Sequence, residues 1–268
     1  MNNKNAFLIL FAVVFIVCLT DLTPSADPLA RLSPREFPAE INQSHPQDRC
    51  LPCEKFHEMN TQIRDGLIDK KTAVVRFRRV VRELDEYTAK IGLAADESSR
   101  CVFPMAGYTP SAIGGKRGNG YVSGGYDYFD GNAHTGHPAH DIFIRDRNQD
   151  ALDDLTGKPV NVLAIKGGLV VSVESKWDKG SPLRGGRYLW VYDPREASLT
   201  YYAHNEDVFV KVGDRVKPGD WIATVGRTGL NAYQRRSPTH LHWMYLDIKD
   251  GLPRPQNNYD ALSTCISE

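Results

Sequence analysis

The chain of 268 residues has no excess of charge of either sign, since 33 lysines and arginines face 33 aspartates and glutamates. The balance is also local: residues 27–100 carry 13 of each. Nucleic-acid binders and polybasic membrane-docking proteins need a cationic face, so no nucleic-acid partner is expected. A membrane-length apolar run is also lacking. The stretch from Ala6 to Leu19 is free of charge but only 14 residues long, short of the ~20 that a spanning helix requires. No Gly-x-Ser-x-Gly elbow occurs, so a serine-nucleophile scheme has no support. Gly118-Asn119-Gly120 lacks the Gly-Lys-Ser/Thr of a phosphate loop. Hydrophobic residues make up 41% and charged residues 25%, which excludes a disordered or collagen-like chain.

What is present at the start is a secretory pattern. Lys4, the apolar run and the small or polar residues after it read as a signal peptide or uncleaved anchor over residues 1–26. Cleavage after Thr20 or Ser25 is compatible with it, while Val17 before Cys18 disfavours lipidation. The chain is therefore expected to be exported, to the periplasm or cell envelope with secretion as the alternative, and with membrane contact only through an uncleaved N-terminal segment. Four cysteines then remain: Cys50, Cys53, Cys101 and Cys265. An even number in an exported chain points to two disulfides, with three pairings open. A Cys101–Cys265 bridge would tie the two ends of one domain, and Cys50 would then pair with Cys53. A redox Cys-x-x-C is the rival, but no βαβ pattern surrounds it.

Residues 27–53, with prolines at 28, 34, 38, 46 and 52, read as a linker. Residues 54–100 read as a helical hairpin, with Phe56, Met59, Ile63 and Leu67, then Val74, Phe77, Val81, Leu84 and Ile91 at helical spacing. Asp65-Gly66 is expected to break the two helices, and Asp69 to cap the second. An amphipathic hairpin packed on the rest of the chain is the plain expectation; a lid or docking arm is the functional one. Residues 102–136 are rich in glycine and tyrosine. Beyond Asp141 short runs of alternating character recur at 141–145, 159–165, 168–174, 187–193, 199–203, 207–212, 221–225 and 240–246. Residues 101–268 are accordingly expected to form a mainly β domain, an antiparallel sheet of the sandwich or barrel kind.

Six of the eight histidines fall in this β-rich part. Alternation along a strand puts His240 and His242 on one face, with Leu241 toward the core. His137 and Asp141 share a face if their segment is extended, and His140 points the other way. Two imidazoles and one carboxylate can make three corners of a tetrahedral zinc site with the fourth left open, as in catalytic zinc centres.

The order and spacing of several pieces carry a resemblance. These are His137-x-x-x-Asp141, Tyr202-Ala203-His204, the run Val212–Ile222, Val225-Gly226-Arg227-Thr228-Gly229 and His240-Leu241-His242. Over residues 130–247 the chain resembles the lysostaphin-type (LytM-type) zinc metallopeptidases, which cut peptidoglycan. That resemblance implies a duplicated-hybrid-motif-like fold, one Zn2+ ion held by His137, Asp141 and His242, and His204 and His240 as the two catalytic histidines that are not ligands. It also implies a peptidoglycan peptide as substrate. Two departures from the family pattern are Ala139 in place of a usual glycine, and Met244-Tyr245 where an acidic residue is often found. The other readings are a non-catalytic cell-wall binding module or an enzyme inhibited by its own helical segment. Separately, Asp146-x-Asn148-x-Asp150 looks like a calcium loop but has Ala151 and Gly157 at its sixth and twelfth positions, so an acidic turn is expected there.

Overall fold

A computed structural model describes residues 49–93 and 100–268. The signal-peptide reading and most of the linker lie outside the described residues. Among the described residues, no helix is long and apolar enough to cross a membrane.

Two helices come first, α1 (Leu51–Arg64) and α2 (Lys70–Lys90). Helix α1 starts inside the stretch read as linker, because the Cys50 sulfur caps it by accepting from the Cys53 N–H at 3.2 Å and Pro52 sits in its first turn. It ends at Asp65, and Gly66 turns the chain with φ +67°. Asp69 caps α2 as expected, its side chain accepting from the Thr72 N–H at 3.0 Å. The apolar stripe is buried at Phe56, Met59, Ile63, Phe77, Val81 and Leu84. Leu67 is a correction: it lies in the turn between the helices and is 74% exposed.

Among the described residues nine strands form one antiparallel sheet: β1 (His140–Phe143), β2 (Asn161–Leu163), β3 (Gly168–Glu174), β4 (Arg187–Asp193), β5 (Ser198–Val208), β6 (Arg215–Val216), β7 (Trp221–Val225), β8 (His240–Lys249) and β9 (Leu252–Pro255). The main path runs β1-β8-β5-β4-β3-β6, with β7 joining β5 to β2 and β9 added beside β8. A six-residue helix, α3 (Tyr259–Thr264), follows. The runs 199–203 and 207–212, read as two strands, are corrected to the single strand β5, which spans eleven residues and stops at Val208.

The alternation along β8 assigns the two faces. Leu241, Trp243 and Tyr245 enter one core with Phe103, Met105, Ile142 and Leu189. Met244 and Leu246 enter a second core with Trp190, Tyr192, Phe56 and Phe77. The helical hairpin therefore covers one face of the sheet, the face that also carries His242. Full burial of one large apolar side chain stabilises by roughly 1.5–3 kcal/mol, so Phe56 and Phe77 hold the hairpin down. Polar ties fix its register: the His57 ring pairs with the Ser172 hydroxyl at 3.0 Å, Arg64 pairs with Glu174 at 2.7 Å and the Tyr192 hydroxyl donates to Asp85.

The cysteines form Cys50–Cys53 and Cys101–Cys265, with Cα separations of 5.3 and 5.0 Å. The second bridge joins the two ends of the β-rich part, where Val102 also pairs in parallel with Ile266.

Candidate metal centre

Three adjacent strands place the site. Asp141 on β1 stands opposite His242 on β8, and His242 stands opposite Ala203 on β5. Cross-strand partners share a face, so Asp141 and His242 point the same way. His137 joins them from just before β1, where it pairs with Val122. His137 Nε2 lies 3.2 Å and His242 Nδ1 3.1 Å from the same Asp141 oxygen.

His204 follows Ala203 and in a regular strand would point to the opposite face. The β5 register shifts here, with Arg187 opposite Asn205 but Leu189 opposite Tyr202, the extra residue of a β-bulge. His204 takes φ +66° and its ring turns back to the site, with centroids 5.4 Å from His242 and 4.9 Å from His240. His240 sits opposite Phe143, with its Nε2 3.7 Å from Asp141. His140 packs on the other side against Trp243, as alternation requires. All five sequence-derived site residues, His137, Asp141, His204, His240 and His242, thus meet in one place.

Backbone carbonyls orient three of the rings. His137 Nδ1 faces the Gly120 carbonyl at 3.1 Å, His204 Nδ1 the Thr228 carbonyl at 2.8 Å and His240 Nδ1 the Pro238 carbonyl at 2.7 Å. A carbonyl only accepts, so each Nδ1 carries the hydrogen. Thr228 lies within a quoted motif, but nothing in the sequence marks Gly120 or Pro238 as ring anchors. Burial alone would raise the Asp141 carboxyl, but hydrogen bonds from His137 and His242 override it and hold Asp141 well below the usual range. The Asp141 hydrogen bond raises His137. Burial pushes His242 down and His204 well down, so His204 is neutral at neutral pH.

The donor set fits zinc. His137, Asp141 and His242 offer one ligand atom each, all within 4.8 Å of one another. A tetrahedral ion with bonds of ~2.0–2.1 Å sets its ligand atoms ~3.3 Å apart, close to the 3.1 and 3.2 Å seen on either side of Asp141. The pinned Nδ1 of His137 is the outer hydrogen bond that ligating histidines make. This trio is the only such group among the described residues. In the calcium-like turn the carboxylates are engaged with the backbone: Asp146 accepts from the Asp150 and Ala151 N–H groups at 3.1 and 2.9 Å. A wide cleft of about 880 Å³, walled in part by Trp177, Arg187 and Tyr233, meets the site at Thr228.

Residues 151–253 match the model of Peptidase family M23. The match includes His204, His240 and His242; His137 and Asp141 precede it and reach the same centre through β1. The catalytic domain of the antimicrobial peptidase lysostaphin from Staphylococcus simulans aligns at 24% identity over 48% of this chain and 80% of that one, with a TM-score of 0.34. A putative glycyl-glycine endopeptidase lytM from Ruminococcus gnavus aligns at 17% identity over 84% of this chain and 95% of that one, with a TM-score of 0.42. A zinc-containing peptidase from Vibrio cholerae aligns at 21% identity over 50% of this chain and 32% of that one, with a TM-score of 0.32. The chain spans about half of full-length lysostaphin, 48%. No curated protein matches. Over residues 151–253 the chain is thus similar to Peptidase family M23.

Proposed function

We propose that the protein is an exported, zinc-dependent endopeptidase acting on the peptides of peptidoglycan. The observation that carries this reading is the meeting of two kinds of group on one sheet face. A three-atom ligand set lies beside two histidines, His204 and His240, whose Nδ1 hydrogens are committed to carbonyls. The substrate class comes from the family resemblance. Export is supported by the two disulfides, which persist in oxidising compartments.

His137, Asp141 and His242 would hold the ion. A bound zinc supplies Lewis acidity, which polarises a carbonyl and makes water a usable nucleophile near neutral pH. The remaining work belongs to the chain. Burial keeps His204 neutral, and with its Nδ1 hydrogen on the Thr228 carbonyl its bare Nε2 can accept a hydrogen bond from the attacking water. His240 presents its Nε2 beside it, and the pair can serve the attacking water, the leaving amine and the oxyanion. Asp141 stays ionised because both neighbouring imidazoles hydrogen-bond to it. The completeness of this five-residue set argues against the binding-module reading.

The test is mass spectrometry of soluble products from purified peptidoglycan, with zinc content measured in parallel. Peptide fragments that need zinc and disappear with His240→Ala are expected. Stoichiometric zinc in a His242→Ala protein would overturn the ligand assignment. A folded, zinc-loaded wild-type protein that releases no fragments from any peptidoglycan type would overturn the enzyme reading.

A further inference from the structure

The helical hairpin and the loop over residues 126–134 lie before the M23 match, yet they build a wall beside His242. Met244 follows His242 by two residues on β8, so both project to the same face. The Tyr201 ring lies 6.0 Å from the His242 ring, centroid to centroid. Met244 and Tyr201 line a pocket of about 90 Å³ with Ile63 and Arg64 from the end of α1 and with His134 and Arg184. Gly131 seats on the last turn of α1 so closely that a Cβ there would lie 2.1 Å from the Ile63 carbonyl oxygen. Asn132 ties the rim, donating to the Pro182 carbonyl at 2.9 Å and accepting from the Arg184 N–H at 3.2 Å.

The pocket is small and holds one uncompensated charge. A volume of that size suits a short side chain rather than a large aromatic one. Arg64 is paired with both Asp65 and Glu174, at 2.7 Å each. The Arg184 guanidinium donates to the His134 carbonyl and has no carboxylate partner among the described residues. Burial, and then the Arg184 charge, push His134 down to about 4, so that ring is neutral and adds no positive charge. The field of Arg184 also reaches His137.

We infer that this pocket is a subsite for a small substrate residue bearing a carboxylate beside the scissile bond. Arg184 holds the carboxylate, and Met244 and Tyr201 hold the side chain. The inference rests on the peptidase reading and narrows it. In a peptide such a carboxylate belongs to a chain end or to a branch.

Titration of labelled, zinc-loaded protein with N-acetyl-alanyl-alanine and with its C-terminal amide tests this by nuclear magnetic resonance. The free acid is expected to bind about tenfold more tightly, or more. Arg184→Gln should abolish that preference, and Arg184→Lys, which keeps the charge, should retain part of it. Arg64→Gln should leave it intact. N-acetyl-alanyl-glutamate with its main-chain carboxyl amidated separates the two sources: a preference for it that Arg184→Gln removes assigns the carboxylate to a branch. Equal binding of acid and amide by the wild type, or a preference that survives Arg184→Gln, would overturn the subsite. A peptidoglycan digest without fragments, alongside an intact Arg184-dependent preference, would instead count against the peptidase reading alone.

Discussion

At position 204 a histidine occupies a left-handed conformation that few residues other than glycine adopt. The bulge and the Thr228 carbonyl hold it there. Gly186 supports the same corner: it has φ +63°, and a Cβ on it would meet the Thr228 carbonyl carbon at 2.3 Å. Gly186→Ala is therefore expected to shift Thr228 and, through it, His204. Misplacing a catalytic group by ~1 Å costs on the order of 10²-fold, so kcat should fall by ten- to a hundredfold, by the same principle, while zinc content stays stoichiometric. Steady-state kinetics with metal analysis checks both. Spacing alone could place His240 and His242 on one face, because a strand alternates with period two. It could not bring His204 to them, since a bulge depends on pairing between distant strands. The carbonyls of Gly120, Thr228 and Pro238 were illegible for a different reason: every residue has a carbonyl.

The helical hairpin was readable as two helices, because Asp65-Gly66 and Asp69 are local signals and Phe56, Phe77 and Leu84 repeat at helical spacing. Which surface it covers was not readable, as that is set by the apolar face of a sheet formed more than a hundred residues later. One tie between them should respond to pH. Burial lowers the pKa of His57, which faces Ser172 at the joint between α1 and β3. Below the unfolded value of ~6.5 the unfolded chain therefore binds the extra proton first, and stability falls as pH falls. His57→Gln should lose less thermal stability than the wild type between pH 7 and pH 5, measured as the change in Tm. An equal loss in both proteins would dissociate this histidine from the effect. Phe77→Ala, which empties the aromatic cluster beneath α2, is expected to cost about 3–5 kcal/mol in denaturant unfolding.

Across the whole molecule the two disulfides act on very different scales. Cys101 and Cys265 are 164 positions apart, whereas Cys50 and Cys53 are three apart. The loop-entropy model gives about 5 kcal/mol for the long bridge and about 2 kcal/mol for the short one. Replacing Cys101 and Cys265 together by serine should thus lower stability well beyond the same change at Cys50 and Cys53, in equilibrium unfolding of both variants. The mainly antiparallel sheet was expected from the many short runs and turns, while β6, β9 and α3 are too short or too plain to announce themselves. The bridge between the ends of the β-rich part has a mechanical consequence. Tension that enters at residue 101 and leaves at residue 265 passes through one sulfur–sulfur bond. The row Asp141–His242–Ala203 lies on the slack side of that bond, so the chemistry is insulated from any load borne between those two points.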